Sequence, residues 1–507
     1  MSDKIQAGRL DRIAKRIYSF WQASRVLCLY FPEGTWYNKL SFYAVSTLHP
    51  QGRSAVFMPT KSNVPHRFSP AQIIVLGFFV IILSGTVLLM LPFSTRTRTI
   101  TPFLDALFTA TSATCVTGLV VYDTWTHWSL FGQFVILLLI QIGGMGFVAV
   151  AVAINMLRGT KIGLRQRFLM QETSGLPQMA GILRATRTIF FYTALFEGLG
   201  AVVLSFRFVP RYGPLRGLWY GVFHSISAFC NAGFDLMGHG GTFSSMTAWM
   251  DDPAVVLTLS VLIIIGGLGF PTWLDLREHR RHLRRCRLQT KLIIGTTLVL
   301  LALPFLFFFF YEFRLPQWAD YTPGQKFWAA LFQTVTPRTA GFNTVDYALF
   351  SGPGLMLTVF LMLVGGSPGS TAGGVKTTTL AAVFLSVRST LRRRRDVEAF
   401  GRRLEDDILS RATVLIFVYL LLFLCAAALI CMIDGVPLSA ALFETASAIG
   451  TVGLSLGLTP TLSAPSHVIL IFLMYFGRVG GLTMIYALAD PNNRTPGRRP
   501  QEQVTVG

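Results

Sequence analysis

Charge is scarce in this chain. Only 13% of its 507 residues are Asp, Glu, Lys or Arg, while 52% are hydrophobic. That balance excludes an ordinary water-soluble domain and points to a polytopic membrane protein. The charge that is present is mostly of one sign, 44 Lys and Arg against 24 Asp and Glu, for a net charge of +20. Because the basic residues flank apolar runs, membrane topology accounts for them before nucleic acid does. Carboxylates and histidines are nearly missing inside those runs: Glu197 and Glu444 stand apart, and His224 is alone. An intramembrane enzyme needs such groups clustered on facing helices, so that reading is remote and no catalytic residue is expected. The six cysteines (Cys28, Cys115, Cys230, Cys286, Cys425 and Cys431) form no CxxC pair and no zinc pattern, and they read as free thiols. No cleavable signal peptide is evident in residues 1–69, which are polar, basic and interrupted by Pro32, Pro50, Pro59 and Pro65. No GxGxxG appears on a strand-to-helix pattern, so a nucleotide-binding regulator would be a separate protein.

What the chain does have is a polar, glycine-ended stretch repeated between apolar runs. The third copy, Phe332-Gln333-Thr334-Val335-Thr336-Pro337-Arg338-Thr339-Ala340-Gly341-Phe342-Asn343, contains a proline at a depth where lipid surrounds the chain. Irregular backbone is tolerated there only when it is covered by protein or lines a water-filled cavity. The candidate segments are Thr114-Cys115-Val116-Thr117-Gly118, Phe229-Cys230-Asn231-Ala232-Gly233, Pro337-Arg338-Thr339-Ala340-Gly341 and Ile449-Gly450-Thr451-Val452-Gly453. Their last glycines recur at intervals of 115, 108 and 112 residues. Four extended segments, one per repeat, are what a ring of backbone carbonyls around a monovalent cation requires. A terminal glycine allows the left-handed backbone that aims successive carbonyls one way.

The expected fold is an all-α polytopic membrane protein, with four repeats of helix, pore helix, filter and helix around a single pore. The predicted spans are 71–91 and 129–157, 188–209 and 253–274, 291–313 and 353–388, and 409–433 and 465–489. The short pore helices, too short to cross a bilayer, fall at 102–113, 215–228, 324–336 and 438–448. The domain reading takes residues 1–69 as a basic cytosolic extension. Repeats follow at 70–157, 158–275, 276–388 and 389–490, with a cytosolic tail at 491–507. Residues 3–30 fit a basic amphipathic helix on anionic lipid, or simply a cytosolic tail. With the N-terminus inside, the inner segments hold 34 Lys and Arg and the outer segments 8, which places both termini in the cytoplasm.

Two glycine-rich stretches, Gly143-Gly144-Met145-Gly146-Phe147 and Gly266-Gly267-Leu268-Gly269-Phe270, read as sites of close helix packing. The second helix of repeat three is broken by Gly365-Gly366-Ser367-Pro368-Gly369-Ser370-Thr371-Ala372-Gly373-Gly374. Such a run holds no lipid-exposed helix and reads as a flexible plug beneath the filter, with Lys376 just after it. Arg478 lies in an otherwise apolar span, where a charge costs roughly 2.5–3.5 kcal/mol and needs an interior partner. The carbonyls and hydroxyls of the broken helix are the expected partner. Arg338 is expected to point behind the filter toward Glu444 or Asp346. Lys and Arg at 391–395 and 402–403 read as a regulator-facing surface or as a solvated inner loop.

The runs Ala113-Thr114-Cys115-Val116-Thr117-Gly118-Leu119, Asn231-Ala232-Gly233-Phe234, Thr336-Pro337-Arg338-Thr339-Ala340-Gly341-Phe342-Asn343, Gly450-Thr451-Val452-Gly453-Leu454 and Phe476-Gly477-Arg478-Val479-Gly480 together resemble the Ktr/Trk/HKT superfamily of potassium transporters. The resemblance is nearest to the membrane (KtrB) subunit of Ktr uptake systems, and it covers about residues 66–490. It departs from the family pattern in its long N-terminal extension and in Cys230, where asparagine is common. The resemblance implies a potassium-conducting pore, often sodium-stimulated, in the bacterial inner membrane. It also implies a homodimer, contact with membrane lipids, and a separate cytosolic nucleotide-binding (KtrA-like) ring that gates the pore. K+ would be held by backbone carbonyls, with Na+ as activator and no covalent cofactor. A proton-coupled Trk-type or a sodium-permeable relative remains open at this stage.

Overall fold

The structure is a computed structural model that describes residues 68–158, 181–279, 282–394 and 396–488, together with 163, 166, 167, 169, 170 and 502. The readings of residues 1–67 and of the tail beyond 488 lie outside the described residues, Glu502 apart. The described chain is almost wholly helical, and it shows four turns of one motif. In repeat one, α1 (Pro70–Met90) crosses, α2 (Phe103–Thr114) enters part-way, and α3 (Leu130–Met145) and α4 (Phe147–Leu157) leave. Repeat two has α5 (Ile182–Tyr212), α6 (Pro214–Phe229), α7 (Pro253–Leu268) and α8 (Phe270–His279). Repeat three has α9 (Leu288–Phe310), α10 (Pro323–Val335), α11 (Gly352–Leu363) and α12 (Thr377–Leu391). Repeat four has α13 (Asp406–Asp434), α14 (Leu438–Gly450), α15 (Ala464–Val479) and α16 (Gly481–Leu488). A two-stranded hairpin, β1 (Glu398–Ala399) with β2 (Arg402–Arg403), joins the last two repeats.

The helix starts follow from local chemistry. Ser69 accepts from Gln72 N at 3.2 Å while Gln72 Oε1 accepts from Ser69 N at 2.9 Å, with Pro70 in the first turn. Thr322 and Gln325 make the same reciprocal cap ahead of Pro323. Each cap satisfies two backbone donors that a new helix leaves free. The pore helices are short and buried, whereas α1, α5, α9 and α13 leave broad apolar faces exposed, as lipid-facing helices must.

One expectation needs correcting. A break was expected only in repeat three, yet the second helix is broken in all four repeats. α3 and α4 meet at 96°, α7 and α8 at 89°, and α15 and α16 at 97°. The turning residues are Gly146, Gly269 and Gly480, at φ of 81°, 89° and 93°, a left-handed backbone that disfavours any β-carbon. The close packing expected of the glycine clusters is also present. A β-carbon on Gly143, Gly266 or Gly477, each three residues before its bend, would collide with the carbonyl oxygen of Thr114, Phe229 or Ile449. Those carbonyls belong to the first residues of three candidate filter segments, so the same short runs both stop the helix and seat it against the filter.

The chain should therefore respond to substitution at these glycines in a graded way. Gly143→Val and Gly266→Val should each destabilise the detergent-solubilised protein by about 1–3 kcal/mol, the usual range for overpacking. Gly295→Ala, where a β-carbon meets nothing within 4 Å, should leave the melting temperature unchanged or raise it slightly. Thermal unfolding followed by size-exclusion chromatography reads both.

Candidate functional site

The four candidate segments come together at the ends of α2, α6, α10 and α14. Each pore helix aims its C-terminal end, which carries partial negative charge, at the segment that follows it. The backbone then alternates in hand. Val116 and Gly118 have φ of 57° and 93°, Asn231 and Gly233 59° and 69°, Thr339 and Gly341 66° and 79°, and Thr451 and Gly453 54° and 94°. A left-handed residue two before each glycine is costly for valine or threonine, about 1–3 kcal/mol each. The sequence reading anticipated only the glycine. Alternation turns the N–H groups back toward the pore helix: Thr117 N, Ala232 N and Val452 N each donate at 2.8 Å to Ser112 O, Ser227 O and Ser447 O, and Ala340 N donates at 2.9 Å to Thr336 O. The carbonyls are left facing the other way. Among the described residues, those of 115–118, 230–233, 339–341 and 450–453 accept no hydrogen bond from the protein.

The segments close into a ring. A β-carbon on Gly118 would lie 2.5 Å from Ala232 O, and one on Gly233 would lie 2.7 Å from Ala340 O. On Gly341 it would collide with Val452 O, and on Gly453 with Thr117 O. Each glycine thus abuts the carbonyl that precedes the glycine of the next repeat, and repeat four returns to repeat one. Thr114, Cys115, Cys230, Ala232, Thr339, Ala340, Thr451 and Val452 are buried behind this ring.

Two rows of polar side chains hold the ring from outside, and the sequence reading missed both. The first row is Ser112, Ser227, Thr336 and Ser447. Ser112 Oγ and Ser447 Oγ accept from Gly118 N and Gly453 N at 3.0 Å, and Ser227 Oγ and Thr336 Oγ1 donate to Phe234 O and Phe342 O at 2.8 and 2.6 Å. The second row follows the buried Phe108, Phe223, Phe332 and Phe443. Its members are Thr109, His224, Gln333 and Glu444, so His224 and Glu444 are neither solitary nor isolated. His224 Nδ1 faces Tyr220 O at 2.7 Å, and its Nε2 accepts from Leu236 N at 3.1 Å. Gln333 donates to Thr344 Oγ1 at 3.2 Å and accepts from the Tyr347 hydroxyl. Glu444 accepts from Thr459 Oγ1 at 2.8 Å and from the Ser455 hydroxyl. In repeat one Thr109 bonds only its own helix, at Asp105 O, and the Asp105 carboxylate takes the Tyr122 hydroxyl at 2.7 Å instead. A signal was available: a polar residue after the phenylalanine in every pore helix.

Arg338 does point behind the ring, but not to an acid. Its Nη2 reaches Thr297 Oγ1 of α9 at 3.5 Å. Glu444 is engaged as above, and Asp346 caps Ala348 N at 2.9 Å.

The run 365–374 lies directly against the ring and is well bonded, where a flexible plug was expected. Gly365 N donates to Val375 O at 2.9 Å, Ser367 N to Gly267 O at 3.0 Å, and Thr371 N to Gly266 O at 3.3 Å. Ser367 Oγ and Thr377 Oγ1 are 3.1 Å apart. Thr371 Oγ1 reaches Asn231 Oδ1 at 2.9 Å and Phe229 O at 3.1 Å. A β-carbon on Gly373 would strike Thr451, and Gly366 sits on Ala372. Pro368, Gly369 and Ser370 are half-buried, and Gly374 is turned at φ 67°. Lys376 Nζ donates to Ala372 O at 2.8 Å. Arg478 donates to Thr371 O, as expected, and also to Gly143 O and Gly144 O, the latter at 3.0 Å. Those last two lie at the end of α3, a partly negative helix terminus that suits a guanidinium; Gly143 O also accepts from Gly146 N at 3.3 Å. Arg478 occupies the position that Gly144 and Gly267 hold in their repeats.

A family model described as a cation transport protein (TrkH) matches residues 45–494. The chain belongs to the TrkH family of cation transport proteins. The family is one of transporters rather than enzymes, which removes the enzyme reading. Ktr system potassium uptake protein B of Bacillus subtilis is 40% identical over 442 residues, 87% of this chain and 97% of that protein. Potassium/sodium uptake protein NtpJ of Enterococcus hirae is 39% identical over 453 residues, 88% and 99%. The crystal structure of the potassium transporter TrkH from Vibrio parahaemolyticus matches with a TM-score of 0.66 at 21% identity, over 86% of this chain and 88% of that one; this likeness concerns the fold.

In this member of the family the second polar row makes a direct prediction. Glu444→Ala strands the Thr459 hydroxyl, and that loss should cost about 1–3 kcal/mol, whereas Glu444→Gln keeps one acceptor and should cost less. Melting of the solubilised protein in the two variants checks the order.

Proposed function

We propose that this chain is the potassium-translocating membrane subunit of a Ktr-type uptake system. The observation that carries the reading is the closed ring of carbonyls with no donor among the described residues. A buried carbonyl left unpaired is costly, and a dehydrated monovalent cation is the partner such rings serve. In this reading K+ is held by carbonyls of the segments 114–118, 229–233, 337–341 and 449–453, those of 115–118, 230–233, 339–341 and 450–453 being the ones free to face it; Phe229 O is engaged by Thr371 Oγ1. The run 365–374, with Lys376 and Arg478, forms a gate on the inner side of the ring: two cations there oppose K+ entry until the run moves. The glycine-ended segments divide the chain into pore repeats at 70–157, 158–275, 276–388 and 389–490.

The basic bias of the loops supports an orientation with both termini in the cytoplasm of a bacterial cell. The relatives named as parts of a Ktr system support a system of more than one component; in this reading the chain works as a homodimer with a separate cytosolic nucleotide-binding subunit and with Na+ as activator. Sodium permeation is the second reading, favoured by the name of the Enterococcus hirae relative.

Uptake measured in a potassium-uptake-deficient host, with and without Na+ and across pH, tests the proposal. K+ flux stimulated by Na+ is expected; a flux of Na+ alone, or one driven by a proton gradient, overturns it. Gly118→Ser should lower the preference for K+ over Na+, since a β-carbon there strikes the neighbouring carbonyl. Unchanged relative affinities in that variant and at Gly233, Gly341 and Gly453 would refute the filter assignment.

The gate makes a separate claim. Arg478→Gln, or removal of several residues within 367–373, should raise K+ flux per correctly inserted protein in liposomes, with or without the regulator. If both variants insert stably and conduct no faster than the parent, the gate is wrong.

A further inference from the structure

Beyond the conduction pathway, three side chains of different chemistry meet where repeat two hands over to repeat three. Asp275 and His279 lie four residues apart on α8 and so share one face of it. A short 3-10 turn, Leu283–Arg285, brings Cys286 back to that face just before α9 begins. Asp275 and Cys286 are buried and His279 is half-buried. One carboxylate oxygen, one ring nitrogen and the sulfur all lie within 4.8 Å of one another.

The carboxylate is only half used by the protein. Asp275 Oδ2 accepts from Arg287 N at 3.0 Å. Oδ1, although buried in a residue that is 5% exposed, accepts no aligned hydrogen bond. It faces His279 Nδ1 at 3.1 Å, with Arg287 Nε farther off at 3.9 Å. His279 Nδ1 also lies 3.2 Å from Asp275 O, and Cys286 Sγ has one long contact, 3.9 Å to His282 O; neither contact, nor an ion pair between Asp275 and a protonated His279, draws all three side chains together. A shared ion explains all three donors.

We propose that Asp275, His279 and Cys286 bind a thiophilic divalent metal ion of the Zn2+ class. Thiolate, imidazole and carboxylate together suit zinc and disfavour Mg2+ and Ca2+, which take oxygen ligands. Three protein ligands leave the fourth tetrahedral position to solvent. The site would fasten the far end of α8 to the start of α9. The near end of α8 is already joined to the run 365–374, since Phe270 N donates to Gly369 O at 2.8 Å. One ten-residue helix therefore links the metal site to the candidate gate.

The test uses the full-length chain in detergent, reduced and stripped with chelator, and titrated with Co2+ as the spectroscopic substitute for Zn2+. One Co2+ per chain is expected, with the visible bands of tetrahedral cobalt, a near-ultraviolet thiolate-to-cobalt band, and loss of both on adding Zn2+. Cys286→Ala should abolish the near-ultraviolet band. Asp275→Asn and His279→Gln should weaken binding at least about 100-fold, the upper end of what losing even an outer-shell partner costs. Cys425→Ala, at an exposed cysteine elsewhere, should change nothing. The proposal is overturned if the parent chain gives no thiolate band, or if the band survives Cys286→Ala. Should the Asp275 variant aggregate, the Cys286→Ala comparison on monodisperse protein decides alone.

Discussion

At the centre of this molecule is a set of backbone carbonyls to which none of the described residues donates. Holding them there has two costs. The carbonyls lose water without gaining a protein partner, and the backbone must turn left-handed at Val116, Asn231, Thr339 and Thr451 as well as at the glycines. Packing around the ring sustains both. The hydroxyls of Ser112, Ser227, Thr336 and Ser447 fix the segment ends. His224, Gln333 and Glu444 tie their pore helices to the chain beyond the ring. The phenylalanines beside them are buried and keep the short helices from shifting.

The broken second helices serve the same end. Gly143, Gly266 and Gly477 let α3, α7 and α15 press onto the filter backbone, and Gly146, Gly269 and Gly480 then turn the chain away. Each break leaves carbonyls short of helical partners. In repeat one they receive Arg478, which also holds Thr371 of repeat three, so a single guanidinium spans three repeats. In repeat two the free carbonyls of Gly266 and Gly267 receive Thr371 N and Ser367 N. The run 365–374 is thus an ordered crosspiece, built from the donors that its neighbours' breaks require.

Much of this could be read along the chain. The recurring glycine-ended segments, the first span of each repeat, the short pore helices and the interior partner of Arg478 were all legible. They depend on local propensity, on periodicity, and on the rule that charge in lipid needs company. The left-handed Val116 and Thr451 were not legible, because no local preference of a β-branched residue favours that backbone. Nor were the bends at Gly146 and Gly480, since a glycine in an apolar run serves equally for packing and for stopping a helix.

By itself, then, the sequence determined the helical class, the four-fold repetition, and the filter segments and the run 365–374 as places where regular structure must fail inside a membrane, because each of these follows from the chemistry of neighbouring residues. The tertiary structure alone decided the order in which the glycines meet the carbonyls of the next repeat. It also decided that Arg338 reaches Thr297 rather than an acid, and that Asp275, His279 and Cys286 share one corner. Those outcomes join residues far apart in the chain, and their partners are selected by how four similar but unequal repeats pack, which no local pattern encodes.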